Sequence, residues 1–518
     1  MVATALNMAN GIREFGRSRP HATALRDEDR ALTFAQLDDR SSRLAQALLG
    51  SGLQPGDRVG LLAGNCVEYF EVATALAKAG LTLVPLNPRN TLADNDYVLR
   101  HSEARALLLD GALADRVDGL TEQMAAVFEF GAPAGIGVPY EQQVQAGRAV
   151  DPRVAVGDDD AFCITYTSGT TGRPKGVILT HRGRVLTNLA AGLEYGLGPG
   201  RRTIAVAPMY HGAGLAFAFA GPQLGGCTSV LRSWDTEQFL SMLERERTHS
   251  VFLVPTHAQH IRRLIEEPVG RFDLADLQTL YFNAAALPVA LKEWVVEAFP
   301  GVGVHELYGS TECSVVTDLR PDDALRKAGS VGHPWFFNEV RLLDDDQQPV
   351  GPGMPGELFA RSPMLMAGYL RDPDATQAAT TDDGFVTVGD IAVADDEGFI
   401  SIIDRKKDMI ISGGVNIYPR EIEEVVAEFP DIHEVAVIGV PDELYGQRVA
   451  AFVVSRSGVA LDRSRLEEFV RSRVARFKVP REWHTVDALP RNPSGKVVKR
   501  DIRQSYLTDR VPGSPSSR

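Results

Sequence analysis

The densest chemistry in this chain lies in Thr167-Ser168-Gly169-Thr170-Thr171-Gly172-Arg173-Pro174-Lys175-Gly176. Gly169 and Gly172 allow a tight turn whose N–H groups can converge on an anion. The hydroxyls and Lys175 add donors and positive charge, and no acidic side chain interrupts them. That combination suits a polyphosphate cradle, but it is not a G-x-x-x-x-G-K-[ST] loop. Arg173-Pro174 separates Gly172 from Lys175, and Gly176 stands where Ser or Thr would follow. A Gly/Thr-rich surface hairpin is the plain alternative. Four further constellations carry reactive side chains: His305 to Glu312, Asp390 with Asp404-Arg405, Ser412 to Pro419, and Pro490-Arg491-Asn492-Pro493-Ser494-Gly495-Lys496.

These residues need elements to hold them. Ala161 to Tyr166 leads into the first loop and Val177-Ile178-Leu179 leads out, which reads as strand, loop, strand. From about residue 20 to 110 helix and strand signals alternate. Thr33 with Gln36 makes a capping box before a helix carrying Leu37, Leu44 and Leu48. Strands are expected near Val59–Leu62, Leu81–Val84 and Ala106–Leu109, with helices near 67–78 and 92–100 between them. The same rhythm resumes at Ile204–Ala207, Val251–Val254 and Thr279–Asn283, so parallel α/β layers are predicted. Between about 330 and 405, Pro and Gly break short apolar runs at close intervals, the texture of a β-rich subdomain. Beyond it, Ile422, Val425, Val426 and Phe429 space a helix with Pro419 in its first turn. Strands at 433–440 and 449–454 and a helix bearing Leu466, Phe469, Val470 and Val474 complete a small α+β domain. The expected division is 1–404, a hinge at 405–407, a small domain over 408–510, and a Pro/Ser/Gly-rich tail over 511–518.

The composition suits such a protein. At 518 residues, roughly three or four domain-sized units are expected. Hydrophobic content of 44% and charged content of 24% are those of a globular chain. A net charge of −14 argues against a nucleic-acid partner. Cys66, Cys163, Cys227 and Cys313 are scattered without a C-x-x-C pair, so neither disulfides nor zinc are suggested, and a cytoplasmic location is expected. Met1 to Asn7 lacks a signal-peptide pattern. The most apolar stretch, Gly212 to Gly221, is too short to span a bilayer and reads as a core element.

The opening loop resembles the phosphate-loop signature of the adenylate-forming superfamily, which includes acyl- and aryl-CoA synthetases, peptide-synthetase adenylation domains and firefly-type luciferases. Tyr308-Gly309-Ser310-Thr311-Glu312 resembles its second core motif, Val388-Gly389-Asp390 its Thr-Gly-Asp with Val in place of Thr, and Pro490 to Lys496 its Pro-Arg-Thr-x-x-Gly-Lys with Asn492 in place of Thr. The matches run from Thr167 to Lys496 in the family's order. The resemblance implies a large N-terminal α/β domain with a β-rich subdomain and a small mobile α+β C-terminal domain. It implies ATP binding by Thr167, Ser168, Gly169, Thr170, Thr171, Gly172, Lys175, Ala284, Ala285, Tyr308 and Gly309, with Asp390 and Arg405 on the ribose. Thr311 would meet the α-phosphate, Glu312 would hold Mg²⁺, and Lys496 would stabilise charge in the transition state.

The same resemblance implies two half-reactions: carboxylate and MgATP give acyl-AMP and pyrophosphate, then the CoA thiol displaces AMP. The small domain would swing about Lys407 between them. Ser412, Gly413 and Gly414 would face the thioester step, and His211 lies near the acyl pocket and thiol tunnel by position. Pocket candidates are Phe217, Phe219, His257, Cys313 and Val315, while small residues at Ala284, Ala285 and Gly309 leave room for a medium-chain or aromatic acid. Asn283-Ala284-Ala285-Ala286 departs from the family's more usual Gly-Gly-Ala-Pro. The partners implied are a small carboxylic acid, ATP and CoA, with a monomer or homodimer expected. Alternatives are an enzyme that loads a separate carrier protein, a luciferase-like oxygenase, and a nucleotide-binding regulatory protein.

Overall fold

The computed structural model describes residues 5–167, 173–264, 272–413, 415–456, 461–491 and 497–509. The chain is a mixed α/β protein with two compact units, Met1–Val340 with Ala360–Val388, and Arg341–Phe359 with Gly389–Arg518. Residues 405–407 fall inside the second unit.

In the first unit the alternation expected over residues 20–110 is present. Helices Phe34–Gly50, Val67–Ala79 and Leu92–Ser102 separate strands Arg58–Leu62, Thr82–Leu86 and Ala104–Asp110, which pair in parallel. Thr33 caps the first helix: its Oγ1 accepts from Gln36 N at 3.3 Å, and Gln36 Oε1 accepts from Thr33 N at 2.9 Å. Such a cap stabilises the helix by about 1 kcal/mol. Its apolar face buries Phe34, Leu37, Leu44 and Leu48. These strands belong to an eight-stranded sheet that also takes in the hairpin Ala161–Thr167 and Lys175–Thr180. At its edge lies Gly368–Tyr369, antiparallel to Lys175–Thr180.

The second sheet has nine strands, whose parallel centre is Gly303–Ser310, Thr279–Phe282, Ser250–Leu253, Arg202–Ala205, Cys227–Val230 and Thr23–Arg26. The sequence reading does not foresee that Thr23–Arg26, together with its antiparallel neighbour Ala31–Thr33, joins this sheet rather than that of Arg58–Leu62. Its signals are local, whereas partner choice is a tertiary matter. The apolar run at 212 forms helix Gly212–Gln223, buried on all sides, with Pro222 in its last turn. There the ring's missing N–H and its clash with the preceding turn are tolerated as the helix ends.

Short strands Glu339–Leu343, Gly356–Arg361, Val386–Ala394 and Ile400–Arg405 form a four-stranded sheet. In the second unit, helices Pro419–Ala427 and Arg463–Arg471 pack on strands Ile432–Asp442 and Gly446–Ser455. Ile422, Val426, Phe429, Leu466 and Val470 are buried in one core there, as their spacing predicts.

Candidate active site

Ser168, Gly169, Thr170, Thr171 and Gly172 lie outside the described residues; the residues on either side of them are held in place. Thr167 and Lys175 face each other in register across the hairpin. Tyr97 Oη donates to Pro174 O at 2.9 Å, and its ring lies under Arg173 at 5.5 Å. Lys175 Nζ sits 4.7 Å over the Tyr369 ring and 4.0 Å from Asp372 Oδ2. Tyr369 Oη in turn donates to Glu312 Oε1 at 3.1 Å. Burial and the adjoining carboxylate push the phenol of Tyr369 up, so it keeps its proton and remains a donor. A continuous path of side chains thus joins the exit of the loop to the Thr311-Glu312 turn.

That turn is shaped by its glycine. A side chain at Gly309 would come within 2.0 Å of Ser314 O, and the strand pairing shifts register between Tyr308 and Gly309. Gly309 therefore allows a close backbone approach, and the space it leaves is taken by Ser314 rather than by a pocket. Thr311 and Glu312 follow, both half-buried. A Cβ at Gly212 would lie 3.6 Å from Thr311 Oγ1, which places the start of helix Gly212–Gln223 against Thr311. His211 is the residue before that helix, and its ring lies 4.6 Å from Tyr210. A helix N-terminus beside a hydroxyl favours negative charge at that point. Glu312, a carboxylate with its second oxygen available to a hard cation, fits a Mg²⁺ ligand.

Ala284 and Ala285 are exposed just past the C-terminal end of strand Thr279–Phe282. Ala284 adopts φ 74°, the left-handed region that an L side chain enters at a cost of roughly 1–2 kcal/mol. Its N–H donates to Asn283 Oδ1. The backbone keeps a glycine-like shape where the side chain is alanine.

The pocket candidates divide. Phe217 and Val315 share one cluster with Phe252, Tyr281 and Trp335. Phe219, two residues along the same helix, points elsewhere and stacks on Phe70 at 4.7 Å. Cys313 is buried, its Sγ donating to Val386 O at 3.7 Å. His257 is buried and stacked on Trp234 at 4.2 Å, and its Nδ1 accepts from Val254 N at 3.2 Å. Burial brings it down to about 4, so it is a neutral ring with the proton on Nε2.

In the second unit Asp390 and Arg405 are register partners on antiparallel strands, with Nε 3.2 Å from Oδ1. Buried Asp404 accepts from Arg405 N and from Arg420 N, at the start of helix Pro419–Ala427. Lys407 is exposed. Ser412 and Gly413 form a hairpin turn in which Gly413 takes φ 58° and donates to Tyr445 O at 2.8 Å. Gly414 and Lys496 lie outside the described residues.

Sequence reasoning misses Tyr369, Asp372, Arg184 and Lys292. Tyr369 and Asp372 sit in a turn-rich stretch whose only signal is a Gly-Tyr pair. Arg184 is a buried guanidinium whose Nη2 donates to Ser314 Oγ at 3.2 Å, two residues past Glu312. Lys292 is fully buried, 2.6 Å from Glu306 Oε2 and 2.6 Å from Ala328 O. Its helical spacing resembles that of any solvent-facing lysine.

Residues 12–370 match the family model of the AMP-binding enzyme, and residues 421–496 that of the AMP-binding enzyme C-terminal domain. The chain belongs to this family of adenylate-forming enzymes, in the acyl-CoA synthetase branch. It is an ATP-dependent acid–CoA ligase of the AMP-forming class. A feruloyl-CoA synthase from an Amycolatopsis species is 38% identical over 493 residues, covering 95% of this chain and 97% of its own. An indoleacetate–CoA ligase from Aromatoleum aromaticum is 35% identical over 492 residues, covering 94% and 95%. The ATP-bound crystal structure of MatB from Rhodopseudomonas palustris matches with a TM-score of 0.88 at 30% identity, over 96% of this chain and 99% of that one. No described helix is long and apolar enough to cross a membrane.

Proposed function

We propose that this ligase activates an aromatic carboxylic acid, with Mg²⁺ held by Glu312. The observation that carries the reading is the path from Lys175 through Tyr369 to Glu312, which links loop and acidic turn into one phosphate-handling assembly. The feruloyl and indoleacetate ligases among its relatives support an aromatic guest.

In the first half-reaction a carboxylate oxygen bonds to the α-phosphorus of ATP and the bond to the β-phosphate oxygen breaks, releasing pyrophosphate. Both reactants are anions, so their repulsion must be offset. The loop donors from Thr167 to Lys175 hold the β- and γ-phosphates, Thr311 donates to the α-phosphate, and Lys496 pairs with the charge that builds between the reactants. Mg²⁺ at Glu312 supplies further neutralisation when bound. Asp390, with Arg405 beside it, accepts from the ribose hydroxyls. In the second half-reaction the CoA sulfur bonds to the acyl carbon, the acyl–phosphate oxygen bond breaks, AMP leaves, and the thiol proton passes to solvent. His211, Ser412, Gly413 and Gly414 serve that step, and Lys407 is the hinge residue between the two. The four free thiols suit a reducing cytoplasm.

The test is pyrophosphate release across arylpropenoic, arylacetic and straight-chain acids, with and without CoA. Arylpropenoic or arylacetic acids are expected to give the highest kcat/KM, with AMP and acyl-CoA formed only when CoA is present. Preference for straight-chain acids would overturn the substrate class. Lys496→Ala is expected to abolish adenylation while sparing thiolysis of supplied acyl-AMP, and Lys407→Pro to do the reverse. Equal loss of both half-reactions in either variant would remove that residue's assigned role.

A further inference from the structure

The active-site residues of the first unit gather at the C-terminal ends of the parallel strands of the nine-stranded sheet: Pro208 to Gly212 follows Arg202–Ala205, and Ala284 follows Thr279–Phe282. The N-terminal ends of strands Arg202–Ala205 and Cys227–Val230 in the same sheet hold a separate cavity of about 400 Å³. Arg19, Arg26, Arg201, Arg202 and Arg245 line it, with Glu246 as their acidic neighbour. The strand Arg202–Ala205 puts roughly 10 Å between its two ends.

The charges in this cavity do not balance. Glu246 is buried, and its carboxylate is already divided: Oε2 takes Arg26 Nη1 at 2.9 Å and Oε1 takes Arg245 Nε at 2.9 Å. Arg202 Nη1 donates to the backbone oxygen of Glu246 at 3.0 Å, and Arg201 Nη1 to the neutral Gln278 side chain at 3.0 Å. Arg19 has no ion pair among the described residues and is exposed. The lining residues, five arginines and one glutamate, sum to a charge of +4 in a chain whose overall charge is −14. Such a local excess of positive charge attracts an anion. Nearby His249 registers that field: burial and then the charges of Arg201, Arg202 and Arg247 hold its imidazole below the usual range, although Asp276 opposes them.

We propose that this cavity is a second ligand site, separate from the catalytic centre, that binds a soluble phosphorylated small molecule through Arg19, Arg201 and their neighbours. Guanidinium forks match phosphate oxygens two at a time. The volume suits a di- or triphosphate-sized group rather than a single small ion. A recessed cavity favours a free solute over a lipid headgroup, which shares the phosphate chemistry but presents it on a broad surface.

The test uses the full chain carrying Lys175→Ala, which weakens the phosphate loop, and inorganic pyrophosphate as the probe in calorimetry. Saturable binding is expected. Adding Arg19→Gln and Arg201→Gln should weaken it about tenfold; neither side chain is part of the Glu246 pairing, and Arg201 gives up only its bond to Gln278. Arg19→Lys with Arg201→Lys should keep most of it. Binding that is absent in the Lys175→Ala chain, or unchanged by the two glutamines, overturns the proposal. A parallel arm floats the same proteins with phosphatidylglycerol–phosphatidylcholine vesicles. Vesicle capture that depends on Arg19 and Arg201, without pyrophosphate binding, would overturn the soluble ligand and assign the arginines to a lipid surface.

Discussion

Glu306 and Glu312 lie close together in the sequence, one on strand Gly303–Ser310 and the other just past it, yet their surroundings are opposite. Glu306 is sealed. Lys292 Nζ sits 2.6 Å from its Oε2, Leu287 N donates to its Oε1, and the lysine also bonds Ala328 O. Glu312 is half-buried, and the nearby Lys175 meets it through Tyr369 rather than directly. In the first pair each charge is satisfied by the protein and can serve only the fold. In the second, the lysine lies over a ring with its nearest carboxylate, Asp372, 4.0 Å away, and Glu312 accepts a neutral donor, so both retain capacity for an incoming anion and its cation. Burial turns a lysine and a glutamate into scaffold; partial exposure keeps them available for chemistry.

The largest effect is expected from Lys292→Ala. It leaves the buried Glu306 carboxylate without its cation and should lower stability by about 3–5 kcal/mol, read as the urea midpoint at unchanged slope. A loss under about 1 kcal/mol would erase the distinction between the two sites.

Lys175→Ala should behave in the opposite way. Stability should stay within about 1 kcal/mol, while kcat/KM for ATP in pyrophosphate release falls about 100-fold. A stability loss as large as that of Lys292→Ala would make Lys175 another scaffold residue.

Tyr369→Phe sharpens the contrast. Removing the donor to Glu312 should raise the Mg²⁺ concentration for half-maximal activity about tenfold, with kcat at saturating Mg²⁺ largely kept. An unchanged Mg²⁺ requirement would detach Tyr369 from the site.

The smallest effect is expected at Ala284. Ala284→Gly relieves a left-handed backbone and should raise stability by about 1 kcal/mol, with KM for ATP the second readout. Destabilisation would mean that the turn is held by the alanine methyl rather than strained by it.

How much of this was legible beforehand varies by residue. The capping box at Thr33, the alternation through Asp110, and the helix of Ile422 and Val426 follow from local spacing, because periodicity and hydrogen-bond capping act within a few residues. The loop, the Thr311-Glu312 turn and the Asp390 and Arg405 pair were visible as residue types in order. Asp390 and Arg405 prove to be register partners, which spacing does not reveal. Phe217 and Phe219 were indistinguishable as neighbouring aromatics, and only the helix sends one to the Val315 cluster and the other to Phe70. Gly309 read as vacant space, whereas the fold spends that space on Ser314 O.

The fold class, the adenylate-forming chemistry and the order of the motifs are all carried by short-range patterns and residue chemistry. Tertiary structure alone decided that Gly368–Tyr369 pairs with Lys175–Thr180, that Tyr369 joins Lys175 to Glu312, and that five arginines share one cavity. Those facts depend on which distant strands become neighbours. That choice is made by burying apolar faces and completing backbone ladders across the whole unit, and no local stretch of sequence carries it.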